Sequence, residues 1–334
     1  MNQMTMRVLP ALLMAVFSSA ATASAFQLWE QNASGLGTAY AGSAAVADNA
    51  STVFFNPAGM TQLSGFQLSA GVAGVKPHFE FRNEGSTGLL GSGGNGGDAG
   101  GWAAVPNAYF SAQLAPNWFL GFGVSAPFGL STEYENGNWI GRYQALKSEI
   151  TTVNYNPSIA YKVNDIVALG FGLDYQTINA EMTSATPFGT YRVKGDDSAW
   201  GWNAGALFTL SPAMRVGISY RSAIDYTLEG TRSVGANSSS AKADIKLPDT
   251  FILSVWQQVS DRWEAMGDLS YTNWSTLDQL NISHATGTDV EPFNYKDSWR
   301  FAWGAAYKAS ESTKLKFGIA YDRSPTTDND RSAR

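Results

Sequence analysis

The ten residues Val167-Ala-Leu-Gly-Phe-Gly-Leu-Asp-Tyr-Gln176 place Val167, Leu169, Phe171, Leu173 and Tyr175 in alternation with Ala168, Gly170, Gly172, Asp174 and Gln176. Successive side chains of a strand point to opposite faces, so this stretch predicts a strand with one apolar and one small or polar face. The pattern recurs at Phe66–Val72, Trp118–Val124, Trp200–Phe208, Met214–Tyr220, Trp299–Tyr307 and Leu315–Tyr321. The polar faces carry Arg, Lys and Asp mixed with Gly, and the apolar faces carry aromatics near strand ends. That division suits an all-β, antiparallel transmembrane β-barrel with lipid outside and a polar lumen better than a soluble β-sandwich.

Eleven runs can be marked, at 66–82, 102–114, 118–127, 149–161, 166–182, 196–210, 214–230, 243–259, 262–280, 294–309 and 313–323. Short turns at 115–117, 162–165, 211–213, 260–261 and 310–312 alternate with long loops at 83–101, 128–148, 183–195, 231–242 and 281–293. Short turns on one side and long loops on the other is the outer-membrane layout, with turns periplasmic and loops extracellular. Eleven is odd, whereas single-chain bacterial barrels have an even number of strands. An open barrel would leave on the order of ten backbone groups unpaired in lipid, at several kcal/mol each. The expectation is therefore a barrel over 65–334 that is incomplete at its C-terminus; completion by a partner chain or an odd-stranded barrel is the alternative.

The chain has no cysteine, which excludes disulfides, zinc-thiolate sites and cysteine nucleophiles. Its two histidines, His78 and His284, give a catalytic or metal centre little to draw on, and neither a metal nor a cofactor is expected. A net charge of -6 offers no basic stripe for nucleic acid. Eleven Trp, 14 Tyr, 18 Phe and 34 Gly fit a membrane barrel. Residues 1–25 read as a signal peptide: Arg7, a short apolar core over Val8–Phe17, and the Ala23-Ser24-Ala25 cleavage site. No later run approaches the ~20 apolar residues of a spanning helix. Gly93-Gly94-Asn95-Gly96-Gly97-Asp98 matches one copy of a calcium-binding repeat that needs several stacked copies, so it reads as a flexible loop.

Ahead of the strands lies Phe26–Met60, FQLWEQNASGLGTAYAGSAAVADNASTVFFNPAGM, rich in Ala, Gly and Ser. It is too small-residued to build a core alone. Residues 26–64 read as a plug held in the lumen. Asn56, Pro57 and Ala58 form its corner with the wall, since Pro57 fixes its own φ and pushes Asn56 extended. In the third run Gly121, Gly123 and Pro127 suit a kink in the wall, or glycine packing against the plug.

The plug motifs Ser34-Gly35-Leu36-Gly37, Ala39-Tyr40, Ala47-Asp48 and Asn56-Pro57-Ala58 come first. They are followed in order by Phe128-Gly-Leu-Ser-Thr-Glu-Tyr134, Asn156-Pro-Ser-Ile-Ala-Tyr161 and Tyr271-Thr-Asn-Trp-Ser275. With these, the sequence resembles the FadL-type outer-membrane transporters of long-chain fatty acids and other hydrophobic compounds. The resemblance implies a fourteen-stranded barrel with an N-terminal hatch, of which about eleven strands are present here. It also implies passive uptake by a monomer, seated in outer-membrane lipid by the barrel-assembly machinery. Substrate is captured by the loops and held inside the barrel. The hatch then moves, and the ligand leaves sideways at a kink in the third strand.

Phe26-Gln27-Leu28 matches the family's start, where a Phe reaches toward the ligand, so Phe26, Leu28 and Trp29 are candidate ligand contacts. In loop 128–148 a helical pattern from Trp139 to Leu146 lets Trp139, Ile140 and Tyr143 either offer an apolar capture surface or pack the loop. Lumen-facing Arg215, Arg221, Arg300 and Lys308 either meet a ligand headgroup or pair with acids such as Asp174, Glu264 and Asp268. No catalytic residue is expected. A barrel lipase would need a serine–histidine pair that the sequence does not place, and a general porin conflicts with the plug.

Overall fold

The computed structural model describes residues 25–85 and 93–327, so all of the expected signal peptide except Ala25 lies outside the described residues. Two single-turn helices, α1 (Ala33–Leu36) and α2 (Thr52–Phe55), and a 3-10 turn at Pro57–Gln62 precede the strands. The first eight strands are β1 (Phe66–Val75), β2 (Ala103–Ala115), β3 (Trp118–Ser125), β4 (Gly129–Glu133), β5 (Lys147–Lys162), β6 (Val167–Thr186), β7 (Gly189–Ser211) and β8 (Met214–Arg221). The remaining eight are β9 (Ile224–Val234), β10 (Asn237–Leu247), β11 (Thr250–Gln258), β12 (Trp263–Thr272), β13 (Gln279–His284), β14 (Gly287–Pro292), β15 (Ser298–Lys308) and β16 (Lys314–Asp322).

The wall is antiparallel and follows the path β1-β2-β3-β5-β6-β7-β8-β11-β12-β15-β16, eleven strands that match the eleven runs of the sequence. Among the described residues β1 and β16 do not pair with each other, so the sheet has two free edges. Its faces are as the alternation predicts. On β5, Asn154, Asn156, Ser158 and Ala160 are buried, while Val153, Tyr155, Ile159 and Tyr161 are exposed. Outward aromatics pair at both ends of the wall. Trp118–Tyr161 and Trp263–Tyr307 lie beside the short turns, at centroid distances of 4.6 and 4.7 Å. Tyr175–Trp200 and Tyr271–Trp299 lie toward the long connections, at 5.0 and 4.8 Å. Two such belts mark the two membrane–water interfaces.

The long loops need correction. Three are β-ribbons. Segment 183–195 belongs to β6 and β7, which run on to a turn at Pro187-Phe188. Segments 231–242 and 281–293 are the hairpins β9–β10 and β13–β14. Runs 214–230, 243–259 and 262–280 each break, at Ser222-Ala223, Pro248-Asp249 and Asn273–Asp278. Beyond the breaks the chain leaves the wall path for a branch of the same sheet (the second sheet), β6-β7-β9-β10-β13-β14, above the loop end of the wall. Loop 128–148 contains β4, and its 139–145 stretch forms successive turns rather than a helix.

Candidate functional site

Residues 26–63 pack against the inner face of the wall. Asn32 caps α1, its Oδ1 accepting from Gly35 N at 2.5 Å. Asn56 does the same for the 3-10 turn, accepting from Ala58 N at 3.1 Å, while its Nδ2 donates to Ala44 O (2.8 Å) and to Ala206 O on β7 (3.0 Å). Asn56, Pro57 and Ala58 are thus buried where segment 26–63 meets the wall. The wall yields space by omitting side chains: a Cβ at Gly170 would overlap the Pro57–Ala58 backbone, and one at Gly217 would overlap Ala44 O.

Charge fixes the other side of the plug. The buried Asp268 carboxylate accepts from Gly42 N (2.8 Å), Ser43 N (3.2 Å) and Ser43 Oγ (2.6 Å). Arg300 donates to Ala39 O at 2.6 Å and stacks on Trp29 at 4.3 Å. Arg221 is bound to Asp174, donates to Phe54 O at 2.9 Å and covers the Phe54 ring. Arg215 lies 4.1 Å over Trp256, Lys308 pairs with Glu311 at the turn, and Glu264 takes Lys314.

Above the plug the inner face becomes apolar. Phe26 is 6% exposed, edge-on to Trp274 at 4.9 Å and to Phe128 at 5.9 Å. Ile178, Tyr226, Leu228, Ile245 and Leu247 belong to the same cluster. Leu28 and Trp29 line a small pocket just below, with Phe54, Phe55, Pro127 and Arg221. A shallow apolar groove continues upward along the second sheet, past Met182, Val193, Ala243 and Ile282. Phe128, Trp274 and Tyr226 were not singled out from sequence. For Phe128 and Trp274 the one signal is a large aromatic in a break between strands; Tyr226 lies in the alternation Ile224, Tyr226, Leu228 of β9.

The third strand breaks beside Phe26. Ser125 pairs with Asn154 and Gly129 with Thr151, so three residues, Ala126–Phe128, oppose two. This is a one-residue bulge, stitched by Thr152, whose Oγ1 donates to Phe128 O at 2.8 Å and accepts from Phe128 N at 3.0 Å. On the other side, β2 pairs with β3 only as far as Ala108↔Val124, and the next contact is the bridge Gly100↔Thr132. Segments 101–107 and 125–131 therefore face each other without a ladder among the described residues. The framed opening is on the order of 20 Å long at ~3.3 Å per residue. The N-terminal segment lies along it: Leu28 N donates to Pro127 O at 2.8 Å and Gly129 N donates to Phe26 O at 2.9 Å. Pro127 sits in the break. Gly121 and Gly123 do not, which corrects that part of the kink: both are paired on both sides, and a Cβ at either would meet Val53 of the plug.

Trp139 packs its loop rather than offering a surface. It is fully buried, stacked on Tyr134 at 3.8 Å and edge-on to Phe81, with Nε1 donating to Ala145 O at 3.0 Å. Ile140 and Tyr143 are half-buried, Tyr143 under Arg142. The glycine stretch docks on this loop, Ile140 N donating to Gly94 O at 3.0 Å, so it is not the free loop expected. Asp98 closes it, accepting from Gly100 N (2.9 Å), Phe79 N (3.0 Å) and His78 Nδ1 (2.7 Å). Those two backbone donors, then His78, hold its carboxyl down at about 2, and Asp98 in turn raises the His78 imidazole. His284 lies on another element, beside Asp289.

Residues 14–334 match the family model described as outer membrane protein transport protein (OMPP1/FadL/TodX). Outer membrane protein P1 of Haemophilus influenzae is 32% identical over 364 residues, covering 93% of this chain and 79% of that protein. The long-chain fatty acid transport protein of Escherichia coli is 28% identical, covering 99% and 85%. The fold is similar to that of the crystal structure of a Pseudomonas aeruginosa FadL homologue, with a TM-score of 0.81 at 23% identity, over 93% of this chain and 84% of that one.

Proposed function

We infer that this chain, which belongs to the OMPP1/FadL/TodX family and is an outer-membrane β-barrel protein, is a passive channel for uptake of long-chain fatty acids or similar hydrophobic compounds. The molecule first lies in the apolar groove of the second sheet, then passes to the chamber at Phe26, Leu28 and Trp29. Burial there stabilises each methylene by ~0.8 kcal/mol, which a water-filled pore would not. Residues 26–64 act as the hatch. Its shift frees Phe26–Leu28 from the bulged strand, and the ligand leaves through the opening between 101–107 and 125–131 into lipid. Movement follows the gradient, and the protein transforms nothing. It works as a monomer in outer-membrane lipid after insertion by the barrel-assembly machinery. The bonds of segment 26–64 to Asp268, Arg221 and, through Asn56, to Ala206 O weigh against a general porin.

The observation that carries this reading is the pair of hydrogen bonds tying Phe26 and Leu28 to the edge of the opening: the segment that touches ligand also guards the way out. Gln27 and Phe128 are bridge partners there, and the chain has no cysteine of its own. In Gln27→Cys/Phe128→Cys a disulfide can form, because such partners lie ~4.5 Å apart at Cα. Reconstituted and oxidised, this variant should still bind labelled palmitate but fail to deliver it to the bilayer until reduced. Delivery at the normal rate with the disulfide intact would sink the proposal.

A further inference from the structure

The N-terminal segment joins the bulged strand by a ladder that lacks one of its regular bonds. Gln27 and Phe128 are antiparallel bridge partners, flanked by the pairs Leu28–Pro127 and Phe26–Gly129, each of which would ordinarily exchange two backbone hydrogen bonds. Leu28 N does donate to Pro127 O at 2.8 Å. The return bond cannot form, because proline has no N–H, and Leu28 O loses its ladder donor. Gln31 supplies one. Its Nε2 donates to Leu28 O at 2.8 Å and also to Ala126 O, the preceding carbonyl of the break, at 2.8 Å. Gln31 is fully buried, and its Oε1 makes no hydrogen bond among the described residues. The amide is thus engaged in donation to these two carbonyls; turned over, it would set its own oxygen against both.

Gln31 also stands at a joint. From Asn32 onward the segment is bound to itself and to the wall: Asn32 caps α1, and its Nδ2 donates to Ser51 Oγ at 2.6 Å. Before the joint, the Gln27 amide is bonded to Thr250 at 3.2 Å and to Thr272 at 3.1 Å, and Trp29 lies against Arg300. None of those side-chain contacts reaches the residues that frame the opening. We propose, on the premise of the uptake reading, that Gln31 is the catch of the opening, a positioning residue that stands in for the N–H Pro127 lacks and holds 26–30 on the bulged strand. Without its amide, Leu28 O and Ala126 O are buried carbonyls short of a donor, and water reaches them only when the segment lifts.

The test measures amide exchange at Leu28 and Gly129 in the reconstituted full chain, beside delivery of labelled palmitate to the bilayer. Gln31→Leu should speed exchange at both amides about tenfold, as the loss of two neutral hydrogen bonds implies, and should raise the delivery rate. Exchange at Gly42 and Ala58, deeper in the segment, should stay unchanged, which also reports that the variant folds. Pro127→Ala supplies the missing N–H. Gln31→Leu/Pro127→Ala should therefore return to within about threefold of the unsubstituted chain, because only Ala126 O then lacks a donor. A double variant that exchanges as fast as Gln31→Leu overturns the stand-in for Pro127. Unchanged exchange at Leu28 and Gly129 in Gln31→Leu overturns the catch. Equal acceleration at Gly42 and Ala58 overturns it too, since Gln31 would then serve the packing of the whole segment. Faster exchange that the double variant reverses, with no palmitate delivered by any of these chains, upholds the catch and overturns the uptake reading itself.

Discussion

The inward face of β6 is two surfaces on one strand. From Ala168 to Gln176 it is small or polar; from Ile178 to Met182 it is apolar. Its neighbours change in step. On β5, Ser158, Asn156 and Asn154 give way to Ile150; on β7, Asn203 gives way to Ala199 and Val193. The lower surface grips another part of the chain's own backbone, which requires hydrogen-bonding groups and missing side chains. The upper surface borders space, and its side chains are those that exclude water. One alternation therefore serves two ends, and the outward face changes with it, from Leu169, Phe171 and Leu173 in lipid to Glu181, ion-paired with Arg192.

The sharpest test of the lower surface is Asp268→Ala. It strips Gly42, Ser43 and nearby Arg300 of a buried partner, and should destabilise the plugged barrel by about 3–5 kcal/mol. The lost stability should appear as a lower unfolding temperature and as new protease cleavage within 26–64. The upper surface is tested by Phe26→Ala. Losing one large apolar contact of about 1.5–3 kcal/mol should weaken binding of a labelled long-chain ligand tenfold or more while thermal unfolding moves little. If that substitution unfolds the barrel instead, the two surfaces are not separable. Gly170→Val forces a side chain into the Pro57–Ala58 backbone; a loss of about 1–3 kcal/mol with a displaced plug is expected, read by hydrogen exchange at Ala58.

The smallest effect concerns pH, outside both surfaces. Asp98 is depressed in the folded chain, so its clasp is complete above the unfolded carboxyl value of 3.8 and is lost as pH falls through about 2. His78 is raised, so its share is complete below 6.5 and fades as pH rises through the elevated value. Amide exchange at Phe79 and Gly100 should therefore stay slow at pH 5 and quicken toward pH 2. Equal rates at both, after correction for intrinsic exchange, would remove Asp98 as the closing residue.

The wall was legible because lipid outside and the packed segment 26–63 inside impose opposite demands on adjacent residues, and Leu169 to Tyr175 record both. The upper sheet was not. Above the membrane the same period continues with its phase reversed: apolar residues move from odd positions such as Phe171 to even ones such as Ile178 and Met182. Charged residues such as Lys194 then take the outside. A reading keyed to apolar-outward strands takes that reversal for a loop. Phe26 was reachable only through family resemblance, and Phe128 and Trp274, though they lie in stretches that carry that resemblance, had no site role from either route. Their meeting depends on a bulge and a strand break that no local pattern announces. Trp139 stayed open between surface and core because a tryptophan in a loop reads equally as either, and the stacked Tyr134 decides for core.

The opening at the third strand rests on residue number more than on residue identity. Three residues stand where two would match, so substitutions at Ala126, Pro127 or Phe128 retune a gap whose existence they do not control. Loss of a single codon there would bring Gly129 into the register of Ser125 and let the strand continue unbroken. In mutational terms the wall lies one in-frame deletion from being sealed, and this segment should tolerate exchanges far better than changes of length.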